Sequence, residues 1–327
     1  MIALVAQRLL QAIAVVLIMT VIVFIGVNVI GNPVDIMISP QADQAERARI
    51  IAELGLDQPL WRQYLHFLGG FASGDFGVSY VYNRPAFSVI LERLPATIEL
   101  AVTAMLMSVI VGVPLGLLAG LYPRSGFSRL LMTGSIVGFS LPTFWVGLIF
   151  IMLFSVYLGW LPSGGRGATR SFLGAEWSYL TWDGLRHMLL PALNLALFKA
   201  SLVLRMTQAG VRGVMPLNYV RLARAKGLHP MRVIFVHVLR NVMIPVVTVI
   251  GLEFGSLIAF SVVTETIFAW PGMGKLIIDS IGVLDRPVMV AYLMLIVVMF
   301  VLINLIVDLI YGRLDPRVRQ QMGTRQP

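Results

Sequence analysis

The chain alternates between long uncharged runs and short polar connections, and the runs have the length of membrane crossings. A helix rising about 1.5 Å per residue needs about twenty apolar residues to cross a hydrocarbon layer about 30 Å thick. Residues 9–30, 100–121, 130–158 and 288–307 carry no charged side chain, and 242–263 carries only Glu253. A sixth run, 188–206, is interrupted by Pro191, Lys199 and Arg205 and is the weakest of the set. The pattern predicts six transmembrane helices in an all-α integral membrane protein. The first run is too long for a signal-peptide core and is read as a retained anchor. Pro114, Pro142 and Pro245 fall within or at the ends of these helices and are expected to kink them.

Between the first two runs, apolar and aromatic residues at helical spacing over 50–67 predict an amphipathic helix followed by a Gly-rich turn. This segment reads either as a packing element, which alone accounts for Trp61, Tyr64 and Phe67, or as a docking surface for an extracytoplasmic partner. Trp160, Trp177 and Trp182 lie near span ends and read as interfacial anchors. The stretch ETIFAWPGMGKLIIDSIGVLDRP, after the fifth run, is expected to fold back over the same face.

Composition agrees with the pattern and fixes the class. The chain has 327 residues, 58% of them hydrophobic and 13% charged, with a mean hydropathy of +0.86. The net charge of +9 follows from the positive-inside rule rather than from nucleic-acid binding. Its placement supports this: 205–241 holds Arg205, Arg212, Arg221, Arg224, Lys226, Arg232 and Arg240 with no acid, and the end of the chain adds Arg313, Arg317, Arg319 and Arg325. The 31–95 segment is mixed, with seven acids and five bases, and suits the opposite side. With Arg8 inside and six crossings, both termini are expected in the cytoplasm. The resulting domains are an anchor helix (1–30), an extracytoplasmic segment (31–95), a transmembrane core (96–312, with a cytoplasmic loop at 207–240) and a cytoplasmic tail (313–327). The absence of cysteine excludes disulfides, thiolate metal sites and a cysteine nucleophile. His66, His187, His229 and His237 lack the HExxH spacing, so no metal and no catalytic residue is expected.

The basic loop is the most distinctive polar stretch. In YVRLARAKGLHP, small residues alternate with long basic ones until Gly227 and Pro230. The pattern predicts a short helix, a bend and a second helix. A helix lying on the lipid surface needs a strong apolar face, whereas this face is thin and largely alanine. Small residues on one side suit a close fit into a groove on another protein.

Here the sequence resembles a known family. Ala223 followed by three residues and Gly227, in a loop before the penultimate span, is similar to the characteristic loop of permease subunits in binding-protein-dependent ABC importers. YVRLARAKGL, HVLRNVMIPVVTVIGLEFG, TETIFAWPGMGKL, GLDQPLWRQY, GDFGVS, LPATIELA and DLIYGRLDPRVR resemble, in order, the B-type permease of the dipeptide, oligopeptide and nickel branch. The chain departs from the general pattern at Arg221, which stands where a Glu is usual, at Leu222, and at Arg240, which takes the place of a closing Pro. The resemblance implies a type I importer permease fold with residues 219–229 as the coupling helix, carried by Tyr219, Arg221, Ala223, Arg224, Ala225, Lys226, Gly227 and Leu228. It implies an inner-membrane peptide importer. A second related permease, two cytoplasmic ATPase subunits that bind ATP and Mg, and an extracytoplasmic solute-binding protein are the implied partners. The chain has no GxxxxGK[ST] loop of its own and no cofactor is expected in it. Nickel chelates, glutathione, opines and sugars are the alternative cargoes.

Lys199 and Glu253 are intramembrane charges, and such charges need partners and mark functional sites. They read either as a structural ion pair joining the fourth and fifth spans or as part of the translocation pathway. An autonomous ion-coupled secondary transporter is the rival class, and it would use such charges without ATP.

Overall fold

The computed structural model describes residues 2–30, 51–52 and 57–314. The tail beyond 314, most of the 31–56 stretch and the start of the predicted amphipathic helix lie outside the described residues. Helices dominate: α1 (Ile2–Ile30), α2 (Leu60–Ser73), α3 (Ala86–Leu121) and α4 (Gly126–Ser140) come first. They are followed by α5 (Thr143–Tyr157), α6 (Trp182–Val214), α7 (Asn218–Ala225) and α8 (Pro230–Phe260). The last helices are α9 (Val262–Ile267), α10 (Met273–Gly282) and α11 (Arg286–Leu314). Contacts divide the chain into two units, one drawn from Met1–Pro95 and Gly272–Leu302, the other from Ala96–Pro271 and Ile303–Pro327.

Among the described residues five helices, α1, α3, α6, α8 and α11, are long and apolar enough to cross a membrane. The single run expected at 130–158 is broken, and makes a sixth crossing if its two parts are one span. It is a pair, α4 and α5, bent by 104° where Leu141 and Pro142 adopt extended backbone. Proline lacks the N–H and forces its predecessor out of the helical region, so the helix stops before it. The bend at Pro142 is the kink expected there. Both α3 and α8 run unbroken through Pro114 and Pro245, because neighbouring helices can satisfy the carbonyl a proline frees. The interrupted run at 188–206 lies in a continuous 33-residue helix, α6.

In the first unit the described part of the amphipathic stretch is α2, which reaches beyond the expected end at 67. It starts after Pro59, passes through Gly69 and Gly70, and ends on Gly74 in the left-handed region. Tyr64 and Phe67 pack on α1: the Phe24 ring lies 5.4 Å from Tyr64 and 5.8 Å from Phe67, and Thr20 and Tyr64 share a 2.8 Å hydrogen bond. Trp61 stays exposed.

In the second unit α3 and α6 approach closely. A Cβ on Gly116 would lie 2.5 Å from the carbonyl oxygen of Leu204 and 2.7 Å from Thr207 Cβ, so only glycine admits this contact. Gly112 and Gly120, one turn away on either side, face Val203 and Val211 in the same way. The connection before α6 holds a hairpin that sequence periodicity did not predict, Arg170–Phe172 paired with Ala175–Trp177. Its two-residue turn, Leu173 and Gly174, has positive φ at both positions, the twist that matches paired strands.

Candidate functional site

The basic loop folds as a short helix, a turn and a second helix. Pro216 follows the end of α6, and Leu217, in extended backbone, begins α7. Two hydrogen bonds close the far end of α7: Gly227 N–H donates to the Arg224 carbonyl at 2.9 Å and Leu228 N–H to the Ala223 carbonyl at 3.3 Å. With Gly227 at φ 72°, these bonds make a Schellman cap, in which a left-handed residue satisfies the orphan carbonyls of the last turn. Leu228 packs on the cluster that contains Ala223, the apolar contact that accompanies such a cap. His229 then accepts from Met231 N–H at 3.4 Å, and Pro230 opens α8 in the first turn, where a missing N–H costs nothing.

The expected site residues divide into two faces. Ala223 is buried with Val220 against Val211, Val233, Val238 and Val242, so this small residue packs into the chain's own core. Tyr219, Arg221, Arg224, Ala225, Lys226 and Gly227 are exposed, and Leu228 is half-buried. The valines come from the end of α6 and the start of α8, which includes a π-helical turn at Val233–Leu239. Thus α7 is seated on both long helices and presents three cations outward. Partial desolvation raises the Tyr219 phenol above its ordinary value.

Lys199 and Glu253 meet. Lys199 lies about halfway along α6, and its ammonium donates to Glu253 and, at 2.8 Å, to the Ser256 hydroxyl. Ser256 in turn donates to Glu253 Oε2 at 3.1 Å, closing a three-membered ring of contacts between α6 and α8. The two charged side chains are 21% and 30% exposed on the surface of this single chain.

Three fully buried acids were missing from the expected site. Glu99 holds Arg166 at 2.8 Å and accepts from the Ser178 hydroxyl and N–H, so the base of α3 clamps the loop before α6. Burial raises the Tyr179 phenol, which stays protonated and donates to the Glu99 carbonyl at 2.9 Å. Glu265 accepts from Thr97 and Ser261, each at 2.8 Å, and next to it the fully buried Trp270 donates to the Ala96 carbonyl at 2.9 Å. Asp285 accepts from the Ser79 hydroxyl and from Tyr80 N–H at 3.2 Å. These acids stand at the edges of the apolar runs, where a hydropathy reading stops. The usable signal was their place in LPATIELA, TETIFAWPGMGKL and LDRP. Among the described residues no three His, Asp or Glu side chains converge as metal ligands do.

The family model described as "Binding-protein-dependent transport system inner membrane component" matches residues 112–320, and its N-terminal companion matches residues 1–101. The chain belongs to this family. It is a multi-pass inner-membrane permease subunit of an ABC importer, and the permease is similar over most of its length to named relatives. It is 40% identical to the dipeptide transport system permease protein DppB of Escherichia coli (strain K12), over 92% of this chain and 94% of the relative. Identity is 41% to the di/tripeptide transport system permease protein DppB of Pseudomonas aeruginosa (strain UCBPP-PA14), over 89% and 90%. It is 39% to the glutathione transport system permease protein GsiC of Escherichia coli (strain K12), over 96% and 98%. Among solved structures, an inward-facing MetNI methionine ABC transporter aligns with a TM-score of 0.55 at 17% identity, covering 69% of this permease and 96% of that chain, a likeness of fold.

Proposed function

We propose that this permease forms, with a second related permease, the membrane pathway of a peptide importer driven by two cytoplasmic ATPases and fed by an extracytoplasmic binding protein. The seating of α7 carries the reading. A helix with three exposed cations, fixed by a valine core to both α6 and α8, passes a push on its outer face to two membrane helices at once. The sequence has no GxxxxGK[ST] loop, which supports binding of ATP and Mg by the ATPase partners. Charge asymmetry supports cytoplasmic termini, which puts α7 on the ATPase side. Dipeptide, di/tripeptide and glutathione permeases among the relatives support peptides as cargo.

The mechanism is a two-state switch: closure of the ATPases displaces α7, and the helices attached to it change the side on which the pathway opens. The test is uptake of a labelled dipeptide into proteoliposomes holding the complete importer. Uptake is expected to require ATP and the binding protein. Reversing the three exposed charges (Arg221→Glu, Arg224→Glu, Lys226→Glu) is expected to abolish stimulated ATP hydrolysis while leaving the permease in the membrane. Uptake driven by an ion gradient without the ATPases would overturn the reading.

A further inference from the structure

We propose that Lys199 and Glu253 are the specificity-determining groups of the pathway, a paired station for substrates that carry both a free ammonium and a free carboxylate. The inference rests on the peptide-importer reading above and names the part of the peptide that the membrane domain recognises. Lys199 would take the substrate carboxylate, and Glu253, with Ser256 beside it, the ammonium.

The argument begins with accessibility. Lys199 is at the middle of α6, and the charged side chains keep 21% and 30% of their surface in this single chain. Accessible ions within a membrane face protein or a water-filled cavity rather than acyl chains. The exposed side of this pair therefore fits contact with something that enters and leaves.

Charge balance decides what that is. The pair is neutral in sum, so a bound ion of either sign would add net charge at a depth where charge is costly. A zwitterion adds none. It replaces one Lys–Glu contact by two contacts, Lys199 to carboxylate and Glu253 to ammonium, both charge-assisted hydrogen bonds of the strong kind. Ser256 donates to Glu253 and accepts from Lys199, so it steadies both groups in the closed state and leaves a hydroxyl for whichever is released. The dipeptide, tripeptide and glutathione cargoes in the relatives' names share this feature: each has an ammonium and at least one carboxylate.

The test uses the complete permease and ATPase complex in nanodiscs without the binding protein, so that selection by that protein does not enter. Saturation-transfer NMR, which reads weak ligands, would compare a dipeptide with its N-acetyl and C-amide derivatives. The free dipeptide is expected to bind at least tenfold more tightly than either derivative. Glu253→Gln is expected to erase the discrimination against the N-acetyl derivative alone, and Lys199→Met that against the amide alone. A merely structural ion pair would not produce effects specific to one end. Equal binding of the three peptides by the unaltered complex, no peptide binding at all, or folded variants that still discriminate would each overturn the proposal. ATP dependence of uptake, measured separately, decides the underlying importer reading.

Discussion

Gly227 is held in the left-handed region with open space around the position a Cβ would take, so a side chain there meets strain and not a clash. A β-branched residue in that conformation costs about 1–2 kcal/mol, and Asn less. Gly227→Val is therefore expected to lower the unfolding midpoint and binding-protein-stimulated ATP hydrolysis, and Gly227→Asn to do so much less, as read by thermal unfolding and ATPase assays. The fully buried Glu99 sets a different problem. Removing its partner by Arg166→Ala leaves a carboxylate without its ion pair, a loss of about 3–5 kcal/mol when such pairs are broken on one side. The double change Glu99→Leu with Arg166→Met is expected to recover part of that stability in the same unfolding measurement. At this scale the sequence was informative about α7, since Gly227 and Pro230 have strong local geometry. It turned Ala223 toward a partner, whereas the structure turns it to the chain's own core, because which face of a short helix is buried depends on the valines that α6 and α8 bring from outside the loop.

At the scale of elements, helices with long apolar runs were legible, and so was the bend at Pro142, though not its size. Hydropathy counts apolar residues and so treated 130–158 as one crossing, whereas a proline's effect depends on what can satisfy the carbonyl it frees. Pro142 ends a helix while Pro114 and Pro245 do not. The α3 and α6 contact was also invisible to hydropathy, although the glycines at 112, 116 and 120 recur every four residues and so share a face. Gly116→Leu is expected to separate the two helices at a cost of about 1–3 kcal/mol or more, with loss of mature protein in membranes measured by immunoblot. Gly126→Leu, at a position with open space around it, is the matched control and is expected to be tolerated.

For the molecule as a whole, charge asymmetry and composition led to the membrane class and the proposed orientation, and several separated motifs led to the family. The buried acids escaped because they act between segments far apart in sequence. Orientation has a direct measurement, since the chain contains no cysteine. Ser171→Cys, on the exposed hairpin, is expected to react in intact cells with a membrane-impermeant maleimide, and Ala225→Cys, on the exposed side of α7, only after the membrane is opened. The reverse labelling would invert the proposed topology.

The Lys199 and Glu253 contact also has a history within each molecule's synthesis. Lys199 leaves the ribosome 54 residues before Glu253, so α6, the least apolar of the five long spans, reaches the insertion machinery before the counter-ion of its mid-span lysine has been made. Until α8 arrives, that lysine must extend toward the headgroups or stay within the protein-lined insertion site. The pair thus imposes an order of events on biogenesis: α6 settles at its final depth only when its counter-ion is delivered. A nascent chain halted before residue 253 is expected to insert α6 incompletely, and one released after α8 to insert it fully, as read by cysteine accessibility at positions flanking α6.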